Sequence, residues 1–209
     1  MYGIKANRHV FYGIENGTIT LHLAPVRTRY EVEINTLEDI RLHHGNYYAF
    51  RSNGTKYQVN RKTREGSIIG VQEPYYWTDQ GKRYLYDVPP QEDLVPHQTG
   101  LTMPQDSRLG LMCSKVDICR LADLGDQDAY GAGVHPICTG VYGFPGSTIN
   151  QPSPVAALVN WFCQEHRLAP KNWFIWKIHF YTFRKRYLYG TDSIYYPEHG
   201  TDKVHLRVH

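Results

Sequence analysis

Three times in the first ninety residues, two β-prone runs flank a glycine-containing turn. Residues 10–14 and 18–23 flank Asn16-Gly17, 46–51 and 56–60 flank Asn53-Gly54, and 75–78 and 83–88 flank Gln80-Gly81. A two-residue type I′ turn needs positive φ at both central positions, which Asn and Gly tolerate best. The pattern therefore predicts antiparallel hairpins. The last two share tyrosines, with Tyr47-Tyr48 and Tyr75-Tyr76 entering and Tyr57 and Tyr84 leaving. Two such copies read as successive hairpins of one sheet rather than as a solenoid. Residues 29–34 alternate as a further strand, and 36–40 suit a single helical turn. The 12 Pro and 18 Gly punctuating the chain argue against a helical bundle.

Composition bounds what such a chain can be. At 209 residues and 41% hydrophobic, it holds enough apolar side chains for a real core, so fibrous, collagenous and disordered classes drop out. Of its aromatic residues 17 are Tyr, against 7 Phe and 4 Trp. Tyr joins a large apolar body to a polar tip and favours half-buried strand faces and contact surfaces. A net charge of +3 names no partner, but 11 His make any surface role depend on pH near 6 to 7. The four cysteines, 113, 119, 138 and 163, are sparse, and Met1 to Ala6 carries no apolar signal core. Reduced thiols in a cytoplasmic setting are the expectation, or a virion if the protein assembles. No apolar run approaches the ~20 residues of a membrane helix.

The rest of the chain divides by punctuation. Pro89-Pro90, Pro96, Gly100, Pro104 and Gly110 mark a long Pro/Gly-rich connection over 89–110. Residues 109–123 have mixed apolar spacing, which suits a short helix near 116–121. Ser153 before Pro154 is an N-cap followed by the proline position that loses no hydrogen bond. Val155, Leu158, Val159, Phe162 and Cys163 then repeat on one helical face, and Arg167 and Pro170 end it, predicting a helix at about 153–167. In 173–188, Phe174, Trp176, Ile178 and Phe180 alternate with Ile175, Lys177 and His179, the signature of a strand with a buried face. Val204, Leu206 and Val208 alternate as a last edge strand. The expected fold is mainly β, or α+β, in a single domain 1–209. It comprises a β-hairpin region (1–88), the connection (89–110) and an α/β region (111–209).

The string Ile137-Cys138-Thr139-Gly140-Val141-Tyr142-Gly143-Phe144-Pro145 resembles the phosphate-binding loop of macro domains. In that family an apolar strand runs into a Gly-rich turn whose amides wrap ADP-ribose phosphates, while an aromatic covers the distal ribose. The resemblance covers roughly 134–180, including the helix with Ala156-Ala157 and the strand after it. It implies phosphate or nucleotide contacts at Thr139, Gly140, Val141, Tyr142, Gly143 and Phe144. A tight Gly/Pro loop without a ligand explains the same residues.

Other constellations read more plainly. His43-His44 on a strand would point to opposite faces, so surface or interface histidines explain them better than metal ligation. Cys113 and Cys119 lack zinc-knuckle spacing. Asp123, Asp126 and Asp128 around Gly125 suit a polar turn rather than a calcium loop. Neither a metal nor a cofactor is expected. Ser147 has no assigned base and Gly-x-Ser-x-Gly is absent, so no catalytic residue is assigned and the balance leans against an enzyme. Arg61-Lys62-Arg64 and Arg184-Lys185-Arg186 are the basic clusters, the second interleaved with Tyr181, Phe183, Tyr187 and Tyr189. Arg184, Lys185, Arg186 and Tyr187 are candidate nucleic-acid contacts, against the plainer reading of an exposed strand end.

The expected function is a non-catalytic binding or assembly protein with Tyr-rich contact surfaces. Its partner would be a like subunit or another protein, as in a virion or phage-tail structural component. The alternatives are macro-like ADP-ribose or nucleotide-phosphate binding, with or without hydrolysis, and single-stranded nucleic-acid binding.

Overall fold

The structure is a computed structural model, describing residues 2–28, 37–78, 81–84, 86, 99–101, 107–145, 147–168, 173–188 and 191–195. In chain order it begins with β1 (Tyr2–Lys5), α1 (Arg8–Glu15), β2 (Leu21–Pro25), β3 (Asp39–His43), β4 (Asn46–Phe50) and β5 (Lys56–Gln58). There follow β6 (Ile68–Gln72), β7 (Pro74–Thr78), β8 (Gly81–Tyr84), β9 (Thr99–Leu101) and β10 (Leu109–Arg120). The last elements are α2 (Asp126–Gly131), β11 (His135–Cys138), β12 (Val141–Gly143), α3 (Pro154–Glu165), β13 (Phe174–Leu188) and β14 (Thr191–Tyr195). The fold is strand-rich, mostly antiparallel, and α+β in class. The expected strands at 29–34 and 204–208 and most of the 89–110 connection lie outside the described residues.

The chain divides into two compact units, one of 1–17, 68–112 and 181–209, the other of 18–67 and 113–180. In the first unit β6 pairs in parallel with β1 and antiparallel with the start of β10. β7 pairs antiparallel with both β8 and β9. Thr78 is opposite Gly81, so Gly81 lies in the strand rather than in a Gln80-Gly81 turn.

The hairpin expected at Asn16-Gly17 does not form. Residues 8–15 are α1, capped by the Asn7 side chain, which accepts from the Val10 amide at 2.9 Å. Asn16 and Gly17 donate back to the Tyr12 and Ile14 carbonyls, with Gly17 at φ +78°. A positive-φ glycine stops a helix as readily as it turns a hairpin, and the Asn7 cap decides between them. Phe11 and Ile14 are buried three residues apart. The Phe11 ring meets Tyr86 at 5.5 Å, and the Tyr86 hydroxyl donates to the Ala6 carbonyl. Burial pushes the Tyr86 phenol up to about 12.

In the second unit β2 and β13 pair antiparallel, with His22 opposite Ile178 and Ala24 opposite Trp176. Phe174, Trp176, Ile178 and Phe180 are all buried, the face the alternation predicts. Ile175 is buried on the other face, so this strand is covered on both sides there. The 153–167 helix forms as α3, with the Ser153 hydroxyl accepting from the Ala156 amide at 3.2 Å and Pro154 opening the helix. Two short helical expectations are corrected. Residues 116–120 continue β10 as a strand, because Leu109, Leu111 and Cys113 alternate into the core and carry the extended backbone through Val116 and Ile118. Residues 39–40 open β3, held by pairing with β4.

Gly133, after α2, has φ +108°, and a Cβ there would stand 2.7 Å from Ile19 Cδ1. Gly133→Ala therefore combines backbone strain with a clash against a buried side chain. It is expected to lower stability by about 1 to 2 kcal/mol. Urea unfolding checks this, and an unchanged midpoint would contradict the placement of Ile19.

Candidate binding face on a three-stranded sheet

The loop at 137–145 closes locally as a hairpin. β11 pairs with β12 with a register shift between Pro136 and Cys138, and Gly140 turns the chain at φ +71°. Thr139 and Gly140 are exposed at the tip, and Val141 and Tyr142 are half-buried. The Tyr142 amide donates to the Gln151 carbonyl at 2.8 Å, and the Gln151 amide donates back at 2.9 Å. Gly143 is buried beneath Ile137, whose Cδ1 would stand 2.7 Å from a Cβ at that glycine. Phe144 is buried and stacked on Trp161, ring centroids 3.8 Å apart. The structure thus commits the Tyr142 backbone and the Phe144 ring to packing within the chain. It presents Thr139 and Gly140 to solvent.

Arg184, Lys185, Arg186 and Tyr187 lie in β13 and pair with Tyr195, Ile194, Ser193 and Asp192 of β14. Their side chains lie outside the described residues. The aspartates act as local caps: Asp123 accepts from the Arg120 amide and Asp128 from the Gly125 amide. Asp128 also meets Lys177 at 2.5 Å, and that hydrogen bond helps hold its carboxyl low despite burial. Among the described residues no three His, Cys, Asp or Glu side chains converge as a metal set. Nor is any described helix long and apolar enough to cross a membrane.

The arrangement with a surface to offer is the sheet β3–β4–β5. Its first turn is His44-Gly45, with φ +47° and +75° between the paired His43 and Asn46. Positive φ at both positions makes this the I′ connection that matches strand twist. It also breaks strand alternation, so the His43 and His44 rings stand 4.1 Å apart rather than on opposite faces. The second turn closes through Gly54 at φ +78°, with the Arg51 carbonyl accepting from Gly54 and the Asn53 side chain accepting from Thr55.

These turns set which residues share a face, since directly opposed residues project to the same side. Tyr48 is opposite Arg41 and Gln58, and Phe50 is opposite Asp39 and Lys56. One face therefore carries Tyr48 and Phe50 on the central strand among Arg41, His43, Lys56, Gln58 and Asp39. The opposite face carries Ala49, which is fully buried, and Tyr47, edge-on to Trp176 at 5.2 Å. Along β4, packing is thus directed to the side of Tyr47 and Ala49, and the other side carries the half-exposed Tyr48 and Phe50.

On the outward face each ring has a cation at its surface. The Arg41 guanidinium is 5.4 Å from the Phe50 centroid, and the Lys56 ammonium is 5.5 Å from that of Tyr48. Both distances fall within cation–π range. His43 approaches Tyr48 edge-on at 6.3 Å. The acid on this face, Asp39, meets Arg41 at 2.6 Å, and that hydrogen bond holds its carboxyl below the usual range. Tyr48 and Phe50 are half-exposed while Arg41, His43 and Lys56 are exposed. From sequence, Tyr48 was singled out only as one of the hairpin tyrosines, and Arg41, Phe50 and Lys56 were not candidates. The signal was present in the i, i+2 aromatics of 46–50, but it becomes a face only once the turns fix the register.

No family model, no curated protein and no solved structure matches this chain.

Proposed function

We propose that the protein is a non-catalytic binding protein and that the outward face of β3–β4–β5 is its contact surface for single-stranded nucleic acid. The observation that carries this is the pair Tyr48 and Phe50, two positions apart on the central strand, each with a cation over its ring. Side chains two positions apart on a strand stand roughly 7 Å apart, room for one base against each ring. Base stacking on an aromatic is sequence-tolerant, while Arg41 and Lys56 can leave the rings to meet phosphates. Unlike a protein contact core, where charged residues are depleted, this face interleaves charge and aromatic side chains.

Titrating a labelled oligothymidylate of about ten nucleotides, followed by fluorescence anisotropy, tests the proposal. Binding should weaken steeply with salt. Tyr48→Ala and Phe50→Ala should each cost about five- to tenfold in affinity, and Lys56→Gln should reduce the salt slope by about one. Wild-type affinity retained in both aromatic variants, or salt-independent binding, would contradict it. A protein-assembly reading rests on a different observation, the exposure of Tyr181 (68%), Leu42 (60%) and Ile137 (52%). It predicts a concentration-dependent mass in light scattering.

A further inference from the structure

The turn that joins β3 to β4 brings two metal-ligating side chains together. His43 is the last residue of β3, and His44 is the first of the two turn residues, before Gly45 and the paired Asn46. On a continuous strand, neighbouring side chains project to opposite faces and do not meet at one ion. The positive φ of His44, +47°, swings its side chain out of that alternation. The two imidazole ring centres consequently stand 4.1 Å apart, with their planes at 61°.

That separation is close to what two imidazoles on one metal ion require. Copper(II) and nickel(II) favour tetragonal surroundings, in which neighbouring ligands lie at about 90°. With metal–nitrogen bonds of about 2.0 to 2.1 Å, two rings so placed have their centres roughly 4.5 Å apart, and a tetrahedral ion would spread them further. Rotation about the side-chain bonds of two exposed rings closes the difference without moving the backbone. The backbone itself is fixed by the pairings of His43 with Asn46 and of Leu42 with Tyr47 on either side of the two-residue turn. Ligands carried on such a rigid element are held near their binding geometry beforehand. The guanidinium of Arg41, on the same strand, is directed away from the turn, held by Asp39 at 2.6 Å and lying 5.4 Å from the Phe50 centroid. Asp39 and Phe50 form the pair at the opposite end of the two strands from His43 and Asn46.

We propose that His43 and His44 form a two-imidazole binding site for a divalent transition-metal ion of the copper(II) and nickel(II) class. Imidazole nitrogen suits these ions, and affinity rises through nickel(II) to copper(II). Magnesium, which takes oxygen ligands, does not suit it. Two protein ligands leave the remaining positions to water or to a group from outside the chain, so the ion is exposed and exchangeable rather than a closed structural centre. The inference stands apart from the nucleic-acid reading, because neither imidazole is one of the stacking rings or their cations.

The test uses the whole chain with Cys138→Ala, so that the exposed thiol neither binds nor reduces the probe. Calorimetry with nickel(II) chloride should show saturable binding that magnesium chloride does not give. His43→Gln and His44→Asn should each weaken nickel(II) at least about tenfold, since either change removes the chelate. Asn is favoured at this turn position, so His44→Asn keeps the hairpin, and its unchanged circular dichroism checks that. Substoichiometric copper(II) chloride should broaden the ring NMR signals of His43 and His44 before those of His9 and His135, which are also exposed. Electron paramagnetic resonance should then show copper coupled to two nitrogens. No saturable nickel(II) binding, unchanged affinity in folded His44→Asn, or equal broadening at His9 and His135 would overturn the site. Tyr48→Ala should leave nickel(II) binding unchanged, so this proposal and the nucleic-acid proposal fail separately.

Discussion

Replacing Arg108 with Ala is expected to destabilise the protein by about 3 to 5 kcal/mol, more than any other single substitution proposed for this chain. Glu73 has 0% exposure and lies at 2.6 and 2.7 Å from two guanidinium nitrogens of Arg108. Removing the arginine leaves a buried carboxylate without its bidentate partner. It also removes a cation lying 4.3 Å from the Tyr84 ring centroid and 5.3 Å from that of Phe11. The loss exceeds what the ion pair contributes, because a fully buried carboxylate stripped of its bidentate arginine is costly. The double variant Glu73→Leu with Arg108→Met should therefore recover much of the stability. Urea unfolding at pH 7 measures both. A loss below about 1 kcal/mol in Arg108→Ala would show that water reaches Glu73, since Arg108 itself is 30% exposed.

The second large effect is acid sensitivity. His22 and His166 titrate near 3 and 4 in the folded chain, against 6.5 for the free side chain. The folded state therefore resists protonation that the unfolded state accepts. Their contribution is fully present above pH 6.5 and is lost as pH falls through 6.5 towards 4 and then 3. Each unit of separation corresponds to about 1.4 kcal/mol. Because both rings are only half-buried, solvent screening reduces the pair's contribution between pH 7 and pH 4 to about 3 kcal/mol. The acid limb of the stability curve should be flatter in His22→Gln with His166→Gln than in the wild type. Identical pH dependence in the two would show that other groups control acid unfolding.

Much of the fold was legible where the deciding interactions are local. Ser153-Pro154 caps a helix within four residues of itself, and α3 follows. The alternation of Phe174, Trp176, Ile178 and Phe180 states a buried strand face without reference to any partner. Asn53-Gly54 carries its own turn chemistry, and β4 and β5 pair around it. Local signals failed where one residue type serves two geometries. Gly17 at positive φ ends α1, although the same Asn-Gly ends hairpins elsewhere. His44-Gly45 is an I′ turn, although its histidine suggested only strand alternation. Residues 116–120 have no decisive period, so pairing and burial along β10 chose strand over helix.

The candidate sites were less legible. Tyr48 and Phe50 were visible as aromatics, but Arg41 and Lys56 reach them diagonally across neighbouring strands, a relation set by register.

The sequence by itself determined the elements whose stabilising contacts lie within a few residues: the capped helix α3, the buried face of β13 and the Asn53-Gly54 turn between β4 and β5. It also determined the supply of tyrosine and cationic side chains. Only the tertiary structure decided which of those tyrosines face outward, where Asn-Gly ends a helix, and which cations reach the aromatic rings. The reason is physical. Caps, turns and periodicity act over a few residues, whereas a binding face is made of side chains whose proximity is fixed by strand register and by the burial of the opposite face.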